Sequence, residues 1–174
     1  MMGYKTNLFA TFVAAVLVSV WVVGERPLMA QANDPLVGTW LLDNAKSDFG
    51  GQTNFLGTTS APDKRTMKFE RVPEGIRHST ETVDTSGFSA EIYRLQYTFK
   101  VDGKDYKADP QMPVNTVSFK RIDANTIERS GTYRGAVVET VTYAVSADGK
   151  VLTATQKGML NGAEVNTVQV FNRQ

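Results

Sequence analysis

The chain has 174 residues, 41% of them hydrophobic, with 19 Lys and Arg against 18 Asp and Glu, one histidine and no cysteine. That length and near-neutral balance describe one ordinary domain and give no electrostatic case for binding nucleic acid or an anionic membrane surface. The lack of cysteine excludes thiol catalysis, disulfide frameworks and thiolate metal sites, and the lone His78 excludes a three-histidine zinc site within one chain.

The N-terminus reads as an address. Lys5 precedes an uncharged, mostly apolar run from Leu8 to Val23, which Gly24, Glu25, Arg26 and Pro27 interrupt. Ala30-Gln31-Ala32 then supplies the small-x-small pattern that signal peptidase requires. The run falls short of the roughly 20 residues that span a bilayer, and no cysteine follows it for lipid attachment. The expectation is a Sec signal peptide over residues 1–32, cleaved after Ala32. It leaves a periplasmic or secreted domain, 33–174, with no stable membrane anchor. With Lys5, Arg26 and Glu25 removed, that domain carries 17 basic and 17 acidic residues.

From Asn33 onward the apolar spacing has period two rather than 3.6. In chain order the candidate strands are Val37–Asp43, Lys64–Val72, Ile76–Val83, Tyr93–Val101, Asn115–Ile122, Thr126–Arg134, Val137–Val145, Val151–Lys157 and Glu164–Asn172. The clearest is the fourth, in which Tyr93, Leu95, Tyr97, Phe99 and Val101 alternate with Arg94, Gln96, Thr98 and Lys100. Side chains alternate across a strand, so one face is apolar and the other meets water. Pro73-Glu74-Gly75, Asp102-Gly103, Asp148-Gly149 and Asn161-Gly162 separate successive runs, and such turns join antiparallel neighbours. The pattern predicts an all-β, antiparallel up-and-down meander of 8–10 strands, which closes into a barrel or folds into a sandwich to remove its edges. Two stretches interrupt it. Asn44 to Asp63, rich in Gly, Thr and Ser, is either a flap or a solvated Ω-type loop. Asp109-Pro110-Gln111-Met112-Pro113 lacks two ladder donors.

Gly38-Thr39-Trp40 opens the first strand, and Arg173 follows the last. A Gly-x-Trp on the first strand of a meander resembles the signature of the calycins, the lipocalins and fatty-acid-binding proteins. The stretch Gly38 to Phe49 resembles the start of small exported bacterial lipocalin-like proteins. The resemblance implies a lipocalin-like barrel whose base is closed by Gly38, Trp40 and Arg173, with the arginine packed across the tryptophan. The chain departs from those families in lacking a Thr-Asp-Tyr motif, a C-terminal helix, a helical pair after the first strand and an Arg-x-Tyr near the C-terminus.

The alternation puts several polar residues on apolar faces: His78 with Ile76, Arg129 with Ile127 and Tyr133, and Glu139 with Val141 and Tyr143. An eight-stranded barrel is just wide enough either to fill with side chains or to hold one small ligand. If these residues point inward, Arg129 could hold a ligand carboxylate, with Tyr93, Tyr97, Tyr133, Tyr143 and His78 lining the site. Alternatively, Arg129 and Glu139 pair with each other or reach solvent at a rim, as buried charges usually require. No nucleophile motif accompanies His78, and Asp102, Asp105 and Asp109 miss the spacing of a calcium loop, so no catalytic residue, metal ligand or cofactor is assigned. The leading expectation is a non-enzymatic exported barrel that binds a small apolar or amphipathic molecule. The alternatives are a ligand-free filled barrel acting in envelope interaction or stress protection, and a small hydrolase or isomerase on the same scaffold.

Overall fold

Period-two alternation lets every strand send one row of side chains inward, and the chain uses that row to fill a barrel. The computed structural model describes residues 34–50, 61–85, 89–160 and 162–174. The N-terminal apolar run, Ala30–Ala32 and the middle of the 44–63 stretch, with Phe55 and Leu56, lie outside them. The strands are β1 (Gly38–Leu42), β2 (Lys64–Val72), β3 (Gly75–Asp84), β4 (Glu91–Phe99), β5 (Asp105–Lys107), β6 (Thr116–Arg121), β7 (Thr126–Tyr133), β8 (Ala136–Val145), β9 (Val151–Leu160) and β10 (Ala163–Arg173). Nine of them match the alternating runs. The three-residue β5 is the addition, too short to show a period.

All pairings are antiparallel, in the order β4-β3-β2-β1-β10-β9-β8-β7-β6-β5. The first and last strands pair in the middle, with Trp40 opposite Arg173 and Leu42 opposite Phe171. The sheet's edges are therefore β4 and β5, and the barrel is nearly closed. The gap is bridged by side chains of the 109–113 segment. The Gln96 N–H on β4 donates to the Asp109 carboxylate at 2.8 Å, and the Gln111 side-chain amide donates to the Arg94 carbonyl at 2.6 Å. Inside the barrel, the Phe99 and Phe119 rings stack across the same gap at 3.5 Å.

The register sorts the interior into layers. Along β3 and β4, Ile76 faces Phe99, His78 faces Tyr97, Thr80 faces Leu95 and Thr82 faces Tyr93. The bottom of the interior is an apolar floor of Ile76, Phe99, Trp40, Phe69, Phe119, Leu152 and Phe171, none more than 2% exposed. Each such side chain contributes about 1.5–3 kcal/mol by leaving water. Below it the Trp40 indole donates to the Leu36 carbonyl at 2.8 Å. The Arg173 guanidinium lies over the Trp40 ring, 4.1 Å from its centroid, and donates to the carbonyls of Pro35 at 2.6 Å, Val37 at 2.9 Å and Gly149. Arg121 ion-pairs with Asp34, which tethers the segment before β1 to the same end.

Gly38 is required here on two counts. Its φ of +149° lies where side chains are rarely tolerated, and a Cβ would strike the Arg173 guanidinium. Gly38→Ala is expected to lower stability by about 1–3 kcal/mol, read as the shift of the urea midpoint. An unchanged midpoint would mean that the Arg173 clamp carries no stability.

Candidate functional site

Above the floor the alternation continues but the residue types change. His78 on β3, Tyr97 on β4, Arg129 on β7 and Tyr143 on β8 are all buried and meet in the barrel interior. Arg129 Nη2 donates to Glu139 Oε1 at 2.5 Å, and Nη1 lies 3.4 Å from the Tyr97 hydroxyl. The other Glu139 oxygen accepts from Gln156 Nε2 at 2.5 Å. Tyr97 OH lies 2.7 Å from His78 Nδ1, and Thr80 Oγ1 lies 3.0 Å from His78 Nε2. Because Arg129 only donates, the Tyr97 hydroxyl accepts from it and can donate its own proton to His78 Nδ1. That assignment leaves the His78 Nε2–H to donate to Thr80. The Phe69 ring stacks on His78 at 4.4 Å and meets Tyr143 edge-on.

This network sets the protonation states. Burial, aided by the Arg129 charge, pushes the His78 imidazole down to about 3, so the ring is neutral. Burial raises the Tyr97 and Tyr143 phenols above the ordinary tyrosine value, against the pull of Arg129. It also works against the Arg129 charge, but Tyr143, Tyr97 and Glu139 outweigh it and hold the guanidinium firmly protonated. Two buried groups lack a hydrogen-bond partner among the described residues, Arg129 Nε and Thr167 Oγ1.

Glycines on both neighbouring strands make room for the buried carboxylate. Glu139 sits opposite Gly131 of β7 and opposite Gly158 of β9. A Cβ on Gly131 would lie 2.6 Å from the Glu139 carboxylate, and one on Gly158 would meet the Glu139 backbone at 2.6 Å.

Over this layer the interior is open. An inner chamber of about 260 Å³ is lined by Met67, His78, Arg129, Val141, Tyr143 and Ala154, among others. An outer chamber of about 530 Å³ shares Arg65, Thr80, Thr82, Leu95 and Gln111 with it and adds Tyr93 and Asp84. Binding sites for small molecules run from about 300 to 1,000 Å³.

The sequence-derived site residues therefore divide. His78, Tyr97, Arg129 and Tyr143 converge, and half-buried Tyr93 lines the outer chamber, its hydroxyl bonded to Glu91. Tyr133 does not belong with them. The β7–β8 register shifts between Gly131 and Thr132, and beyond the shift Tyr133 to Val137 are exposed. Tyr133 is 42% exposed there, with Arg134 over its ring. Arg129 pairs with Glu139 rather than presenting an unengaged fork to a ligand carboxylate. Arg65, Gln111, Gln156 and Gln169 were missed as lining residues. Arg65 was legible, because Met67 and Phe69 on β2 face inward and Arg65 keeps their parity.

Fold and interior together define a small lipocalin-like β-barrel with a partly filled core. No protein-family model and no curated protein matches the chain. In structure it is similar to secretory abundant heat soluble protein 4 from Ramazzottius varieornatus, with a TM-score of 0.50 and 13% identity over 81% of this chain and 96% of that one. It is also similar to As-p18, an extracellular fatty acid binding protein, with a TM-score of 0.48 and 18% identity over 81% and 97% of the two chains. A third is zebrafish ileal bile acid-binding protein complexed with cholic acid, with a TM-score of 0.46 and 10% identity over 80% and 99%. At 13% identity and a TM-score of 0.50, the first of these shows a likeness of fold alone.

Removing either member of the buried ion pair strands the other. Arg129→Met is expected to cost about 3–5 kcal/mol, whereas the double variant Arg129→Met/Glu139→Met costs less. Urea unfolding of the three variants in a double-mutant cycle reads the difference; a double variant as unstable as the sum of its singles would show the pair to be uncoupled. His78 adds a pH signature. It titrates near 6.5 when unfolded and near 3 when folded, so the unfolded chain binds more protons between these values. Stability is full above pH 6.5 and falls as pH drops towards 3, by up to about 1.4 kcal/mol per pH unit from this group. His78→Gln should flatten that part of the slope, measured as urea midpoints from pH 7.5 to 4; a slope equal to that of the parent chain would refute the buried neutral imidazole.

Proposed function

We propose that this chain is a non-enzymatic binding protein that takes a small amphipathic molecule into its barrel. One observation carries the reading: the apolar floor stops half-way, and above it two connected chambers lead outward past Arg65, Thr80, Thr82 and Gln111. A barrel meant only to be filled would continue its Phe and Leu layers. Instead the upper interior has a Met67–Val141–Tyr143–Leu160 wall for an apolar body and polar side chains at the mouth for a polar end. A hydrolytic role is less well supported, because the interior histidine is neutral, is held through both ring nitrogens and adjoins no activated nucleophile. The signal-peptide pattern at residues 1–32 supports export, which would place the carrier in the periplasm or outside the cell.

Native mass spectrometry of protein purified from its own compartment is expected to show a reproducible added mass that disappears on denaturation. Ala154→Leu, which puts a larger side chain into the inner chamber, should abolish that mass while far-UV circular dichroism stays unchanged. A bare mass for the parent chain, together with no uptake of an apolar fluorescent probe, would overturn the carrier reading in favour of a surface-acting barrel.

A further inference from the structure

The two interior arginines differ in what they already hold. Arg129 has its charge neutralised by Glu139 and its terminal nitrogens engaged by Glu139 and Tyr97. An anion placed beside it would also face the Glu139 carboxylate. Arg65 is half-buried at the junction of the two chambers and lines both. Its Nε donates to Thr82 Oγ1 at 3.1 Å and its Nη1 to Gln169 Oε1 at 2.6 Å, and both partners are neutral. Among the described residues every ion pair involves another cation: Lys46, Lys68, Arg94, Lys120, Arg121 or Arg129. Arg94, which also lines the outer chamber, is held by Glu81 at 2.8 Å. Arg65 is thus a fixed, partly desolvated positive charge, without an ion-pair partner among the described residues, that lines the space where a ligand would sit. Burial works against that charge, yet a guanidinium does not give up its proton at any ordinary pH.

We infer that the ligand is a monoanionic amphiphile, of the carboxylate class, bound with its head outward: the carboxylate on Arg65 at the chamber junction and the apolar body inward against Met67, Val141 and Tyr143. This rests on the carrier reading above and adds charge and direction to it. The side chains of Thr82 and Gln169 hold the guanidinium in place and leave Nη2 for the incoming oxygens, a charge-assisted contact formed away from bulk water. The neutralised inner layer accepts the uncharged end.

The test is isothermal titration of the full chain with decanoate and with 1-decanol, which share an apolar body and differ in head charge. The parent should prefer decanoate by about tenfold or more, the range expected for one charge-assisted contact. Arg65→Gln should lose that factor for decanoate while decanol binding stays within about twofold, which also certifies the fold. Gln169→Glu leaves Arg65 in place and puts a carboxylate on its Nη1; it should produce the same selective loss. Equal binding of both probes, or decanoate binding unchanged in both variants, would overturn the head-outward anion while leaving the carrier reading intact. Binding of neither probe by the parent chain would overturn both.

Discussion

A charged pair inside a β-barrel imposes conditions on every strand around it. The carboxylate of Glu139 and the guanidinium of Arg129 leave water on folding, a step that costs several kcal/mol per ion unless their remaining hydrogen-bonding capacity is met. The surrounding sequence meets most of it. Gln156 takes the second carboxylate oxygen and Tyr97 takes the second guanidinium nitrogen. His78 receives the hydroxyl in turn and passes its own proton towards Thr80. The glycines at 131 and 158 yield the volume. Five strands, β3, β4, β7, β8 and β9, are tied to one another through these side chains as well as through their backbones. The pair gives the middle of the barrel a defined arrangement where apolar packing alone would allow several.

That arrangement divides the interior by chemistry. Under the network the aromatic floor is fully buried, sealed by Trp40 and by Arg173 with its three carbonyls. Over it the walls are thinly covered by Thr, Gln and Met, and space remains. The network is thus the boundary between the part of the molecule that makes it stable and the part that can receive something else. It is also electrically silent towards the space above it, because its opposite charges sit 2.5 Å apart. Of Arg65, Arg94 and Arg129, the described cations that line this space, Arg65 is the one whose hydrogen-bond partners are uncharged.

Much of the architecture was readable from residue order. Alternation located nine strands, in one case to the residue at both ends (Lys64–Val72), because a half-buried strand needs that pattern and little else in the chain competes with it. The same parity placed His78, Tyr97, Arg129 and Tyr143 together. It misplaced Tyr133, since a bulge is a register event set by the partner strand and leaves no mark in the spacing of β7. The strand β5 escaped because Asp105-Tyr106-Lys107 is too short to have a period. Arg65 escaped for a different reason: a cation between Lys64 and Lys68 reads as part of a solvated face, although it keeps the parity of the apolar Met67 and Phe69. Whether Arg129 pairs with Glu139 or waits for a ligand depends on a cross-strand distance that no one-dimensional pattern contains.

The unpaired edges, β4 and β5, are consecutive in the chain, so the discontinuity in the sheet is spanned by a covalent turn as well as by the Asp109 and Gln111 side chains. Elsewhere around the circumference, widening the barrel would mean breaking a ladder of backbone bonds. Here it means releasing two side-chain hydrogen bonds and sliding one pair of stacked rings. The circumference therefore has an expansion joint. The 109–113 segment forms both the joint and part of the wall of the two chambers, so dilation at that one line would change the bore of the barrel without disturbing the clamp at its base.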